Sequence, residues 1–431
     1  MDDESLYWVA LNLLPFSPRQ VRDIHLRCGG PAGLASSGAA TLDASVRDPP
    51  QPERVPGDWW SRVMAGELGY ASPVSTAGLS GERLLDAAHE ESRRAASLGV
   101  RLLTLASPAY PSLLTGIAAP PPVLYLMGDE GANTLLDHSA DGPPSLPRAW
   151  WWSGDGTRSP AEPSPREPVC IGVVGSRRAT DYGRAVSRRL GRALTRAGAI
   201  VISGLAHGID AEAHTGAIEA DGCTLAVLGC GLAVPAYPRV NAPLARRLLR
   251  RGALLSEFAL DTPPMRPHFP RRNRIIAGLC PAVAVVEAAE RSGALITARI
   301  ALEEGREVLA VPGRITDAAA GGTNGLLRAG AAAVLSREED VLEELPAFWR
   351  ERLAAAVRDP APAGGSATAP PDVSPAEAQV LSLLSVDEPV SMDRLLARSG
   401  RPAAEVLAAL VGLEIRAFVR SLAGGRYILN P

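Results

Sequence analysis

From about residue 169 to 346 the chain alternates short, unbroken apolar runs with longer amphipathic ones. The apolar runs fall at 170–174, 199–203, 223–228, 253–257, 282–287, 307–311 and 332–336. They are too short for helices and lack the in–out alternation of a half-exposed strand, so they predict strands buried on both faces. The intervening runs have helical length, and strand–helix alternation of this kind predicts a parallel, doubly wound sheet. Upstream, 82–98 reads as a helix, 100–105 as a strand, and 120–127 as an apolar segment able to extend the same sheet. The N-terminus has helical apolar spacing over 5–14. A second helix is capped by Ser17-Pro18 and closed by Gly29-Gly30, with proline at the first helical position and glycine past the end. Such a pair fits a helix-hairpin-helix, but a simple helical cap is the plainer expectation.

Two stretches break this rhythm. Residues 129–168 are rich in Gly, Pro, Ser and Asp and carry Trp150, Trp151 and Trp152. They read as an insertion, whose tryptophans are assigned to surface packing rather than to base stacking. Residues 357–373 form a Pro/Ala/Gly linker. Beyond it, helices starting at Ser374-Pro375, at 391 and at 402 precede two β-runs around Gly424-Gly425, the pattern of a winged helix. The expected organisation is therefore a helical N-terminal domain (1–90), lead-in strands (91–128), the insertion (129–168), a Rossmann-like core (169–346), the linker, and a winged-helix-like domain (374–431).

Composition narrows the function. The net charge is −3 and the pI near 6.1, so the molecule as a whole is not a basic nucleic-acid binder. There is no lysine: all 44 basic residues are arginine. That excludes a P-loop or Schiff-base lysine and makes every cationic contact a guanidinium. Charge is unevenly placed, with 22 Arg against 16 acidic residues over 170–340, or +6, while the rest is acidic. The winged-helix-like region balances six Arg against six acids around an Ala/Val/Leu-rich third helix. It suits protein contact or autoregulation better than duplex reading. Cys28, Cys170, Cys223, Cys230 and Cys280 show no paired or zinc spacing. Reduced thiols, with no signal peptide or membrane-length apolar run, predict a cytoplasmic protein.

In a parallel sheet the loops after the strands share one rim, where ligands bind. Here they are Gly175-Ser176-Arg177-Arg178, then Gly204 to Asp210 with His207 and Gly208, then Gly229-Cys230-Gly231 leading to Tyr237-Pro238 and Asn241. Further along come 266–274, with four Arg, one His and Phe269 but no acid, and Ser292-Gly293-Ala294 with Thr297. Exposed helix N-termini and arginine suit phosphate, and an aromatic among arginines suits single-stranded nucleic acid. Arg271, Arg272 and Arg274 open a helix against its dipole, which implies an anion nearby. The site read from these loops comprises Gly175, Ser176, Arg177, Arg178, Gly204, His207, Gly208, Phe269, Arg271, Arg272, Asn273, Arg274, Ser292, Gly293 and Thr297. Replacing Arg177 or Arg274 by alanine is expected to weaken binding.

Rival chemistries fare worse. A nicotinamide fingerprint fails, because Val234 stands where the third glycine after Gly229-Cys230-Gly231 belongs and no acid ends the second strand. His207 and His214 are seven apart, not the four of a helical metal pair, and no nucleophile–base pair stands out. Asp210 capping a helix, and Glu257 and Glu287 bonding backbone at strand ends, explain those residues without catalysis. A nucleotide-processing enzyme of the Lonely-Guy phosphoribohydrolase type, with a similar glycine-rich core, is the alternative kept.

Taken together, GSRRAT followed by YGR, SGLAHGIDAEAH, GCG with YP and N, FPRRNRIIAGL, SGALITAR and VPG with GTN resemble, in order, the DprA/Smf family. The resemblance spans roughly 170–335. It implies an extended Rossmann fold, single-stranded DNA binding, loading of the RecA recombinase, protection of incoming DNA in transformation, and a homodimer formed through the Rossmann domain. It implies no catalysis, cofactor or membrane. By motif it places Gly175, Ser176, Arg177, Gly204, His207, Gly208, Phe269, Arg271, Asn273 and Arg274 in the DNA pocket.

Overall fold

The computed structural model describes residues 3–13, 81–105, 107, 110–128, 168–358, 374–384, 390–416, 418–422 and 425–429. The expected second N-terminal helix, nearly all of the 129–168 insertion and most of the linker lie outside them. Helices α1 (Asp3–Asn12) and α2 (Gly81–Ser97) precede strand β1 (Arg101–Thr104), short α3 (Ser112–Thr115) and β2 (Val123–Gly128). The repeating core follows: β3 (Cys170–Val174), α4 (Asp181–Arg196), β4 (Ile200–Ser203), α5 (Ile209–Glu219), β5 (Thr224–Val227), α6 (Ala242–Leu249) and β6 (Ala253–Ser256). It continues through α7 (His268–Leu279), β7 (Ala282–Val285), α8 (Ala294–Glu303), β8 (Glu307–Ala310), α9 (Gly321–Arg328) and β9 (Ala333–Val334) to α10 (Glu339–Glu344) and α11 (Ala347–Arg358).

These strands form one nine-stranded sheet in the order β1-β2-β6-β5-β4-β3-β7-β8-β9. From β6 to β9 every pairing is parallel, whereas β1 and β2 add an antiparallel edge beside β6. The apolar runs are continuous because β3 to β7 are buried at every position. In β3, Ile171 and Val173 pack with Leu190 of α4 and Ala213 of α5, while Cys170 and Val174 pack on the other face with Ile275 of α7 and Ala298 of α8. The fold is thus the extended, mostly parallel Rossmann-like sheet expected.

Helices α1 and α2 share a buried cluster with Tyr125, Ala226 and Leu254 of the sheet. Polar bonds tie them to the segment after β6: Asn12 Nδ2 donates to the Glu257 carbonyl (3.0 Å), and Glu91 accepts from Leu260 N (2.8 Å). Arg94 forks onto Asp261 at 2.6 and 3.0 Å.

The C-terminal region forms its own core around Val380, Leu395, Val406 and Leu410. Helix α12 (Pro375–Leu383) starts with a capping box between Ser374 and Glu377, α13 (Met392–Ser399) is capped by Ser391 and ends at left-handed Gly400, and α14 (Ala403–Ile415) follows. The expected hairpin is present as β11 (Val419–Leu422) and β12 (Arg426–Leu429). It gains a third strand from β10 (Val390–Ser391), whose two residues are too few to show a period in sequence.

Candidate functional site

The chain leaves β3 in opposite directions. Successive strands β4, β5 and β6 build one side of the sheet, and β7, β8 and β9 the other. The loops at the carboxyl ends of β3 and β7 therefore diverge and leave a crevice at the switch point. Three loops meet there. Ser176 N donates to the Glu287 carbonyl (2.6 Å), and Ile209 N donates to the Ser176 carbonyl (3.2 Å). The approach is closed to side chains at two glycines. A Cβ on Gly175 would lie 2.5 Å from Ile209 Cγ1, and one on Gly208 would strike the Ser176 carbonyl, at a φ of +74°. The sequence thus brings Gly175 and Gly208 together, as expected.

The second loop is held from several sides. Leu205 sits at φ +56°, a left-handed conformation costly for a bulky residue. Asp210, from the first turn of α5, accepts from Gly204 N (3.1 Å) and Ala206 N (3.3 Å). Asn241 Nδ2 donates to the Leu205 and Ala206 carbonyls at 2.9 and 3.1 Å, and Arg272 Nη1 donates to the Gly204 carbonyl at 2.8 Å. Burial raises the Asp210 pKa, against the field of Arg272 and the two amides. Burial likewise pushes the Arg272 guanidinium down to about 10.

Two expectations are corrected here. The N-terminus of α4 does not face the crevice as an empty phosphate seat. Buried Glu287 occupies it, accepting from Thr180 N (2.8 Å) and Thr180 Oγ1 (2.7 Å), while Thr180 caps Gly183 N (3.1 Å). The anion implied by the arginines of α7 is likewise internal. Arg271 forks onto Glu257 at 3.0 and 3.2 Å, and Arg274 pairs with the same carboxylate. Arg271, Arg274 and Glu257 are 7%, 2% and 0% exposed, too buried to meet a ligand. Arg272, 3% exposed, spends its guanidinium on the Gly204 and Val227 carbonyls. It borders the crevice as a brace.

What remains open is a cleft of about 630 Å³ lined by Gly175, Ser176, Arg177, Arg178, Phe269, Asn273, Ser292, Gly293 and Thr297, with Arg272 at its wall. Arg177 and Arg178 are exposed; Arg291, not anticipated as a site residue, adds a third exposed guanidinium. Half-buried Phe269 lies with Arg177 Cζ 5.2 Å from its ring centroid. Tyr237, 46% exposed, packs against the same ring at 5.5 Å and 38°. Gly204 and exposed His207 line a small adjoining hollow with Tyr237 rather than the cleft itself. Tyr237, named among the rim loops, and Arg291 are absent from the site read from the sequence, although an aromatic in a breaker-rich loop and an arginine beside a helix start at the same rim are legible signals.

The buried titratable groups of the rim are held by internal partners. The carboxylates of Asp210, Glu257 and Glu287 are each engaged by backbone or arginine. His214 is buried against Thr224 Oγ1 (2.7 Å), and desolvation pushes its pKa down to about 3. Among the described residues no His, Cys, Asp and Glu cluster could hold a metal ion.

Fold and site define a Rossmann-type protein with a cationic, aromatic-flanked crevice at the switch point of its sheet. The family model for DNA recombination-mediator protein A matches residues 161–346, and that for the DprA winged helix domain matches 364–425. The chain is 40% identical to DNA processing protein DprA of Bacillus subtilis, over 58% of this chain and 72% of that protein. It is 34% identical to protein Smf of Synechocystis, over 76% of this chain and 79% of that one. Among solved structures, DprA of Streptococcus pneumoniae aligns at 30% identity and a TM-score of 0.48, covering 63% of this chain and 84% of that one. A structure described for the single-stranded DNA binding mode of DprA from Helicobacter pylori aligns at 26% identity and a TM-score of 0.44, covering 57% and 98%. The chain belongs to the DprA/Smf family.

Proposed function

We propose that this protein binds single-stranded DNA in the switch-point cleft and acts in DNA processing as a binding protein, not a catalyst. The observation that carries this is the pairing of exposed Arg177 with half-buried Phe269 in a cleft whose acids are neutralised from within. Guanidinium holds backbone phosphate without reading sequence, and the ring offers a face to any base. The contacting set is Gly175, Ser176, Arg177, Arg178, Phe269, Asn273, Ser292 and Gly293, with Thr297, 2% exposed, in the wall behind them. Gly204, His207 and Gly208 frame it, and Arg271, Arg272 and Arg274 brace it. Family membership supports extending the proposal to loading of a RecA-type recombinase onto incoming DNA, to a cytoplasmic setting and to a homodimer.

The test is a fluorescence-anisotropy titration with a labelled single strand, competed by unlabelled single strand or duplex. Single strand is expected to compete and duplex to compete far less. No binding of either would overturn the proposal.

A further inference from the structure

The cleft does not end the cationic surface. From Gly222 to Ser256 the chain has five arginines and no acidic residue. Arg251 pairs with Asp221 (2.9 Å). Arg239, Arg246, Arg247 and Arg250 are exposed and have no ion-pair or hydrogen-bond partner among the described residues. Their placement is not scattered. Ala245 and Leu248 of α6 are buried, so at 3.6 residues per turn Arg246, Arg247 and Arg250 share the opposite face. Arg239 lies one turn earlier in the 3-10 turn that leads into α6.

This face starts at the cleft. Tyr237, two residues before Arg239, packs on Phe269, and Asn241 at the head of α6 is bonded to the Leu205 and Ala206 carbonyls of the rim. From Asn241 to Arg250 the helix runs roughly 14 Å away from the rim. The last turn of a helix favours cations through its dipole, which accounts for one or two arginines there at about 0.3–1 kcal/mol each. It does not account for a four-residue strip of unpartnered guanidinium leading out of a polyanion site.

We infer that a single strand leaving the cleft turns over Tyr237, passes Arg239 and continues along the Arg246–Arg247–Arg250 face of α6, so that the footprint is longer than the cleft. Tyr237 supplies a second stacking face after Phe269, and the arginines follow the backbone by charge alone. This rests on the cleft binding single-stranded DNA.

The experiment compares wild type with the triple variant Arg246→Gln, Arg247→Gln, Arg250→Gln on oligo-dT of about 6 and about 30 nucleotides, across a salt series. The three side chains are exposed, and unchanged circular dichroism and melting will show that the fold is kept. The variant is expected to bind the long strand at least about ten-fold more weakly near 0.1 M salt. Its long-strand salt slope should fall by up to about 2, at about 0.7 per phosphate contact. The ratio of long- to short-strand affinity should shrink accordingly. Equal loss on both lengths, or no loss on the long strand, overturns the track while leaving the cleft standing. Failure of wild type to bind either strand overturns both.

Discussion

At the residue scale, two arginines of the same rim do opposite work. Arg177 is exposed above Phe269, whereas Arg274 is buried against Glu257. Arg177→Ala is expected to lower the salt slope of oligonucleotide binding by about 0.7 and to leave stability within about 0.5 kcal/mol, as read by anisotropy and urea titration. Arg274→Ala removes one of the two guanidinium groups paired with buried Glu257, leaving the Arg271 fork, and is expected to cost about 1–3 kcal/mol of stability, measured by the same urea titration. Both positions read as cationic in sequence, and their difference did not. It depends on where a side chain leaves α7 and on the strand-end Glu257 that meets it. His214 supplies a pH dependence. The native state keeps this imidazole neutral down to about pH 3, while the unfolded chain protonates it near 6.5. Stability therefore falls as pH drops through that window, by at most about 1.4 kcal/mol per unit from this residue. In His214→Gln the slope of melting temperature against pH should be shallower; an unchanged slope would show that His214 does not contribute.

At the element scale, the second loop is set by its braces. Leu205 holds a left-handed backbone because Asp210, Asn241 and Arg272 bond the peptide groups on either side. Asn241→Ala removes two of those bonds at an expected cost of about 1–3 kcal/mol. Hydrogen exchange should show faster protection loss at 204–208, and binding should weaken with it. An unaltered exchange pattern would mean that the other braces suffice. Strands and glycine turns of the core were legible because burial on both faces writes unbroken apolar runs and close loop contacts demand glycine. The seating of Glu287 at the head of α4 was not, since it joins residues 107 apart and appears only once β3 and β7 are neighbours. The α4 start reads as a phosphate seat from local sequence alone; tertiary pairing fills it.

At the scale of the whole molecule, a chain of net charge −3 carries +6 over residues 170–340 and −9 over the rest, and exposed arginines stand both at the sheet's carboxyl rim and on the outer face of α6. An asymmetry of this kind would orient an approaching polyanion as well as attract it. The winged-helix region, balanced at six Arg and six acids, adds little to that field. The family resemblance was legible from the ordered motifs, while the line between holding DNA and holding the fold within FPRRNR needed three dimensions. The most direct test is photocrosslinking of a halogenated single-stranded oligonucleotide to the full chain, followed by peptide mapping. Crosslinks are expected in the peptides bearing Arg177, Tyr237 and Phe269. Crosslinks confined to residues 374–429, with none at that rim, would contradict a binding site at the switch point of the sheet.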